Sequence, residues 1–447
     1  MISTTLLLAA LCAAPLDNMD DLHGCLARTG DLDGDGMAEL LVASRLLGAR
    51  NLVWVVSGRT GVPLRTLSQP EAIFGCALAD AGDVDGDGYA DALVGARGVA
   101  LVLSGADGEL LHRLSSPAPV RGDDFASSFD GGEDLDGDGH ADLIVGAPAQ
   151  GACFVYSGRT GELAYALQNT EKGLVRSTPA QLAALGRLPL AASRALRFGE
   201  PARLAPDADG DGKAELLVAS TKAVHLLDGE SGEALASYAL PDLPGQCADE
   251  RRLPWTLGWI EDVDGDERYD LWATQITGWL AVWSGGTKER LQLTDWNGYY
   301  CFGDGSSADA AGDLDGDGVP ELLVGANEGP ILDSDPGWAI ALRGSDLRGV
   351  RSWNGSDGVP PRADPEFSDT FDVCCLGDVD RDGVDDIALY HRPSSNGSGT
   401  APTPFTSSWV HVVSGASNEL LWGLDLVELY RGGGPAAGGE EPQDEDG

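Results

Sequence analysis

At 447 residues the chain is longer than one compact core usually grows, and its 29 basic against 72 acidic residues leave a net charge of −43, which rules against nucleic acid and anionic membrane surfaces as partners. Beyond the first fourteen residues, no apolar run approaches the ~18 residues of a membrane-spanning helix. A closed array of repeats carries such a length as one unit, so a single large domain is expected over residues 20–430.

Residues 1–14, Met1-Ile-Ser-Thr-Thr-Leu-Leu-Leu-Ala-Ala-Leu-Cys-Ala-Ala14, have a short apolar core and small residues at the end, and read as a secretory signal although the basic n-region is missing. The expected location is therefore secreted or cell-surface, with the periplasm also compatible. The remaining cysteines, Cys25, Cys76, Cys153, Cys247, Cys301, Cys374 and Cys375, are odd in number and form no CxxC pair. Neither a zinc site nor a regular disulfide framework is indicated; buried free thiols are expected, with one or two disulfides left open.

From Asp31 onward one acidic stretch recurs seven times, with carboxylates at positions 1, 3, 5 and 9. The copies are Asp31, Asp33, Asp35 and Glu39; Asp83, Asp85, Asp87 and Asp91; Asp134, Asp136, Asp138 and Asp142; Asp207, Asp209, Asp211 and Glu215; Asp262, Asp264, Asp266 and Asp270; Asp313, Asp315, Asp317 and Glu321; and Asp378, Asp380, Asp382 and Asp386. Alternate carboxylates on a curled backbone supply the oxygen ligands that a hard cation such as Ca2+ takes, and glycine at position 6 permits the sharp turn. Up to seven Ca2+ are expected. The loop at 262–270 is the weakest site, because Glu267 replaces the glycine, and Arg381 lowers the local charge of the last loop. An EF-hand would need a bidentate Glu at position 12, where this chain has Val42, Val94, Val145, Val218, Ala273, Val324 and Leu389. The loops therefore open onto strands.

Around each loop the chain reads as four short strands. The first precedes the loop and carries Phe-Gly or a variant, as at Phe74-Gly75, Phe125-Ala126, Phe198-Gly199 and Phe302-Gly303; the second is the unbroken apolar run after it, such as Leu143-Ile-Val145, covered on both faces. The third and fourth form a hairpin whose turn also repeats, as in Ser57-Gly-Arg-Thr-Gly61, Ser104-Gly-Ala-Asp-Gly108 and Ser157-Gly-Arg-Thr-Gly161. Repeats fall at approximately 20–68, 69–117, 118–168, 190–241, 250–294, 296–350 and 366–425. Four-stranded units at a spacing of about 58 residues predict the blades of a seven-bladed β-propeller, an all-β fold.

The Phe-Gly pair, the acidic loop, the Val-Gly-Ala-Pro run of Val145 to Pro148 and the hairpin together resemble the FG-GAP repeats of integrin α-subunit propellers and their bacterial relatives. The resemblance covers roughly Asp21 to Leu424. It implies calcium loops between strands one and two on the lower face, with ligand-binding loops commonly on the upper face. No stalk domain or membrane helix follows, so an integrin subunit itself is not indicated.

Residues 168–197 form a basic insert carrying Lys172, Arg176, Arg187, Arg194 and Arg197, a candidate ligand contact whose plainer reading is packing against the acidic blades; Pro179 begins a candidate short helix. Residues 431–447 read as a disordered acidic tail. Arg121-Gly122-Asp123 falls in an ordinary entry to strand one. Trp255, Trp259, Trp272, Trp279, Trp283 and Trp296 are expected mainly to pack blade five. His140, at position 7 of its loop, is expected to turn its ring to solvent. No catalytic motif is present, and no catalytic residue is assigned. The expected function is an extracellular, calcium-binding, non-catalytic binding or adhesion scaffold for a glycan or extracellular protein. A calcium-dependent polysaccharide lyase and a structural surface-layer component are the alternatives.

Overall fold

A computed structural model of the chain describes residues 26–43, 52–71, 73–117, 119, 124–170, 173–185, 197–208, 210–241, 256–275, 279–295, 307–326, 338–354, 370–392, 409–426 and 429. Seven antiparallel sheets account for most of them, and in every sheet the strands lie side by side in sequence order. Six sheets have four strands. The third has five, because Gly173–Ser177 pairs along the outer strand Leu163–Thr170, with Thr170 opposite Gly173 and Ala166 opposite Ser177. The basic insert thus begins inside a blade, and its helix spans Pro179–Leu185.

Burial falls off from the middle of each blade to its rim, for a reason visible in strand composition. Glu39–Ala43 and Val53–Ser57 are buried at every position, whereas the outer strand Pro63–Leu67 alternates. Side chains of a strand point alternately to opposite faces, so a strand stacked between two neighbours must be apolar throughout. Leu40 and Val42 pack against the seventh blade, while Leu41 and Ala43 pack against the second. The same division gives an apolar cluster at each of the seven joints in place of one common core.

The joint between the last blade and the first closes the ring. There Leu40, Val42, Trp54 and Val56 meet Ala388, Tyr390, Val410, Val412, Trp422 and Leu424. Blade one (Leu26–Thr29, Glu39–Ala43, Val53–Ser57, Pro63–Leu67) and blade seven (Thr370–Gly377, Asp386–Arg392, Trp409–Val413, Leu420–Asp425) are each built from consecutive strands. Among the described residues no strand is exchanged between them.

In six of the seven blades a side chain on the fourth strand also ties the blade to the next, always from the residue paired opposite the position two before the hairpin turn. Arg65 donates to the carbonyls of Gly105 and Ala106, and His112 Nε2 to Gly158 O at 2.6 Å. Tyr165 donates to Gly229 O, Gln292 to Ser345 O at 2.6 Å, and Arg351 to Ala416 O at 3.1 Å. Trp422 Nε1 donates to Gly58 O at 2.7 Å across the closing joint. At the fourth blade this place is Ala236, which has no donor, and Lys288 from the fifth blade's own hairpin bonds Gly285 O instead.

Candidate metal centres

The acidic loops are shaped by their first aspartate. Asp31 Oδ1 accepts the N–H of Gly34 at 2.7 Å and Oδ2 that of Gly36 at 2.9 Å. Asp83, Asp134, Asp207 and Asp313 hold their position-4 and position-6 amides in the same way. Both held residues take positive φ in every loop, where glycine is favoured. The fifth loop keeps this geometry with a side chain present: Glu267 sits at φ 63° and donates to Asp262 Oδ2 at 2.6 Å. Arg381 takes the same left-handed backbone conformation at position 4 of the seventh loop, at φ 67°. Burial alone would raise the Asp262 pKa, but amide bonds from Glu267, Gly265, Asp266 and Asp264 outweigh it and lower it.

A left-handed residue other than glycine costs about 1–2 kcal/mol, partly offset by the greater freedom glycine has when unfolded. Glu267→Gly is therefore expected to stabilise the protein by about 0.5–1 kcal/mol, read as a higher urea midpoint. An unchanged or lower midpoint would mean that no strain resides there.

Position 9 begins the second strand and is buried in all seven blades. Where it is aspartate, both carboxylate oxygens are engaged. Asp91 accepts Val84 N–H and Gly105 N–H, each at 2.9 Å, and Asp142, Asp270 and Asp386 repeat the pattern with Leu135 and Gly158, Val263 and Gly285, and Val379 and Gly415. The glycine in this bond is the second residue of the hairpin turn. It lies so close on the loop that a Cβ at Gly158 would stand 1.7 Å from Ala141 O. The recurring Ser-Gly is thereby explained as the seat on which each loop rests.

Where position 9 is glutamate, the longer side chain changes the outcome. Glu39 Oε2 accepts Leu32 N–H at 2.5 Å and Glu321 Oε2 accepts Leu314 N–H at 2.6 Å, while Oε1 of each is buried with no hydrogen-bond partner. These two loops gather four carboxylates, Asp31, Asp33, Asp35 and Glu39, and Asp313, Asp315, Asp317 and Glu321, with one oxygen from each residue within 4.8 Å of the others. Groups of three meet the same limit at Asp83, Asp85 and Asp91, at Asp134, Asp136 and Asp142, and at Asp207, Asp211 and Glu215; Asp87 and Asp138 stand outside those sets. Asp209 lies outside the described residues.

Burial pushes the position-9 acids up, Glu39 to about 8, Glu321 and Asp91 to about 7, and Asp142, Asp270 and Asp386 to about 6; amide hydrogen bonds oppose the shift and neighbouring loop acids add to it. Crowded carboxylates and two orphaned buried oxygens are what a hard, oxygen-seeking cation would satisfy. The loops can hold such an ion.

Other expected residues divide. Of the basic insert, Lys172, Arg187 and Arg194 lie outside the described residues. Arg176 lies 4.2 Å over the Tyr165 ring and bonds Glu230 O, and Arg197 pairs with Glu200, so each has an internal partner. The ring of His140 does not turn to solvent: its Nδ1 lies 3.0 Å from Val84 O of the preceding blade's loop, drawn there because adjacent loops crowd on one face. Trp272, Trp279 and Trp283 are buried in blade packing, and Cys153, Cys374 and Cys375 are buried free thiols. Phe302-Gly303, Arg121-Gly122-Asp123, Trp255, Trp296, residues 1–14 and residues 431–447 lie outside the described residues.

Sequence reasoning missed two sets of residues. Asp130 and Ser128 accept the amides of Leu204 and Ala202, each at 2.9 Å, and Asp309 and Ser307 accept those of Cys375 and Val373. The innermost strands are thus laced across joints by a Ser-x-Asp placed six and four residues before the loop, a spacing readable in both places. The second is Arg343. Where five of the other hairpins begin with serine and the fourth with Asp228, its guanidinium ion-pairs with Asp317 Oδ2 at 2.6 Å and donates to Asp315 Oδ2 at 2.9 Å, over the four carboxylates of the sixth loop.

A closed ring of seven antiparallel blades, each opening through an acidic loop, defines a β-propeller. Residues 125–164 match the FG-GAP repeat family model and residues 31–94 match that of the FG-GAP-like repeat, so the chain is a seven-bladed β-propeller that carries FG-GAP-type repeats over those residues. No curated protein matches it. Among solved structures it is similar to BamB from Moraxella catarrhalis, at 11% identity and a TM-score of 0.41 over 82% of this chain and 79% of that one. It is similar also to BBS1N, solved in complex with ARL6DN, at 11% identity and a TM-score of 0.49 over 84% and 90%. Among the described residues no helix is long and apolar enough to cross a membrane.

Proposed function

We propose that the protein is an extracellular, calcium-stabilised propeller that serves as a non-catalytic binding or adhesion scaffold, its ligand a glycan or an extracellular protein. The observation that carries this reading is the division of labour between the two faces. The acidic loops keep one length, and in six of the seven the first aspartate holds the same two amides, those of positions 4 and 6. The strand-two-to-three connections, which leave from the opposite face, run from residues 97–98 in blade two to residues 393–408 in blade seven. Variable segments on a rigid scaffold are the usual carriers of recognition. Ca2+ is the fitting ion because the donors are all oxygen and numerous enough for its six to eight ligands.

The test is to probe an array of glycans and extracellular-matrix proteins with calcium-loaded protein, beside a chelated control. Capture by one ligand class, reduced on chelation, is expected. Silence in both conditions would overturn the scaffold reading.

A further inference from the structure

The seven loops share a backbone but differ in what their buried carboxylates have left to offer. In the second, third, fifth and seventh blades the position-9 aspartate gives one oxygen to the loop amide and the other to the hairpin glycine. An ion entering such a loop shares oxygens that are already bonded. In the first blade Glu39 is one methylene longer, its Oε2 takes the Leu32 amide, and its Oε1 stays buried without a partner beside Asp31, Asp33 and Asp35. A buried acceptor left without a partner carries its whole desolvation penalty until something fills it. An ion entering this loop removes that penalty.

The sixth loop has the same four-carboxylate set and the same free oxygen at Glu321, but it is partly answered from within. Arg343 spans Asp315 and Asp317, so an ion must displace or repel a guanidinium already seated among its ligands. Among the described residues the fourth loop gathers only Asp207, Asp211 and Glu215.

We propose that the loop of the first blade is the primary cation site of the ring, filling before the others because, among the described residues, Glu39 alone holds an unpartnered buried carboxylate oxygen beside loop carboxylates that no side-chain cation bridges. Arg343 is the corresponding brake in the sixth blade. This inference rests on the reading that the loops bind calcium. It assigns an order among sites that a family resemblance treats as equal.

The site also lies at the joint that closes the ring. Arg381 of the seventh blade donates to Asp35 O at 3.0 Å, and Gly58, which receives the Trp422 bond, is seated on Ala38 of the same loop. The first ion bound would hold the blade on which closure depends.

Calorimetric titration of the chelator-stripped full-length chain with calcium chloride at neutral pH tests the order. The expected isotherm has one site about tenfold or more tighter than the rest. Glu39→Gln is expected to remove that phase and leave the weaker uptake. Glu39→Asp, which restores the pattern of the other blades and keeps a charge there should the glutamine variant fail to fold, is expected to move the site into the weaker class. Asp91→Asn and Glu215→Gln should leave the tight phase in place, and Arg343→Ser should raise its stoichiometry from one to two. A tight phase that survives both Glu39 variants, its loss in Asp91→Asn, or a single uniform class of sites would overturn the proposal while leaving calcium binding intact. No calcium uptake by the unsubstituted protein would overturn both.

Discussion

Chelation is expected to lower the thermal midpoint of the protein sharply, and calcium to restore it. Any ion that binds the folded loops and not the unfolded chain stabilises by about 2.7 kcal/mol per site at a hundredfold excess over its dissociation constant. Three such sites would contribute about 8 kcal/mol, comparable with the whole net stability of a typical domain. The physical source is the buried position-9 acids, pushed up toward or beyond neutrality, and the further carboxylates crowded around them. Magnesium, which demands a tighter octahedral shell, should restore much less. Differential scanning fluorimetry with and without chelator reads the effect. A midpoint indifferent to both ions would mean that amide hydrogen bonds alone suffice to hold the loops.

Replacing Trp422 with alanine should loosen the ring at one joint. The indole is buried in the cluster that joins the last blade to the first, donates to Gly58 O, and packs against Gly61 so closely that a Cβ there would lie 2.7 Å from the ring. Large-to-small substitution at such a place costs about 3–5 kcal/mol. Trp422→Phe keeps most of the packing and loses the hydrogen bond, so about 1 kcal/mol is expected. Urea unfolding followed by tryptophan fluorescence separates the two variants. Equal losses would assign the effect to the bond; a negligible loss in Trp422→Ala would show that closure rests on the other residues of that cluster.

The propeller was legible because its signals are local. Acids at alternate positions, the apolar run that follows and the Ser-Gly turn all fall within a short stretch and recur, so Asp31 through Ala43 announces a loop feeding a strand by itself. What stayed hidden depends on partners in the neighbouring blade. Nothing near Tyr165 in sequence marks Gly229 as its acceptor, and nothing near Asp130 marks Leu204. The fifth strand Gly173–Ser177 was hidden because its pattern is weak: a rim strand has one solvated face and an open edge, and the sequence there carries charge and small residues. The role of Asp31 as the loop's organiser was masked by its equal fitness as a metal ligand. Arg343 escaped notice because a lone arginine in a turn has no signature until its carboxylate partners are placed.

Because blades one and seven are each complete, the circle is a chain of modules whose two ends dock without threading through one another. The covalent break between first and last blade is then only one of several equivalent places where the polypeptide could begin. A gene rearranged to start between the second and third blades, with the old ends joined by a flexible linker, would encode the same circle. In such a permutant the Trp422–Gly58 joint becomes an internal contact, and another joint inherits the task of clasping the ends.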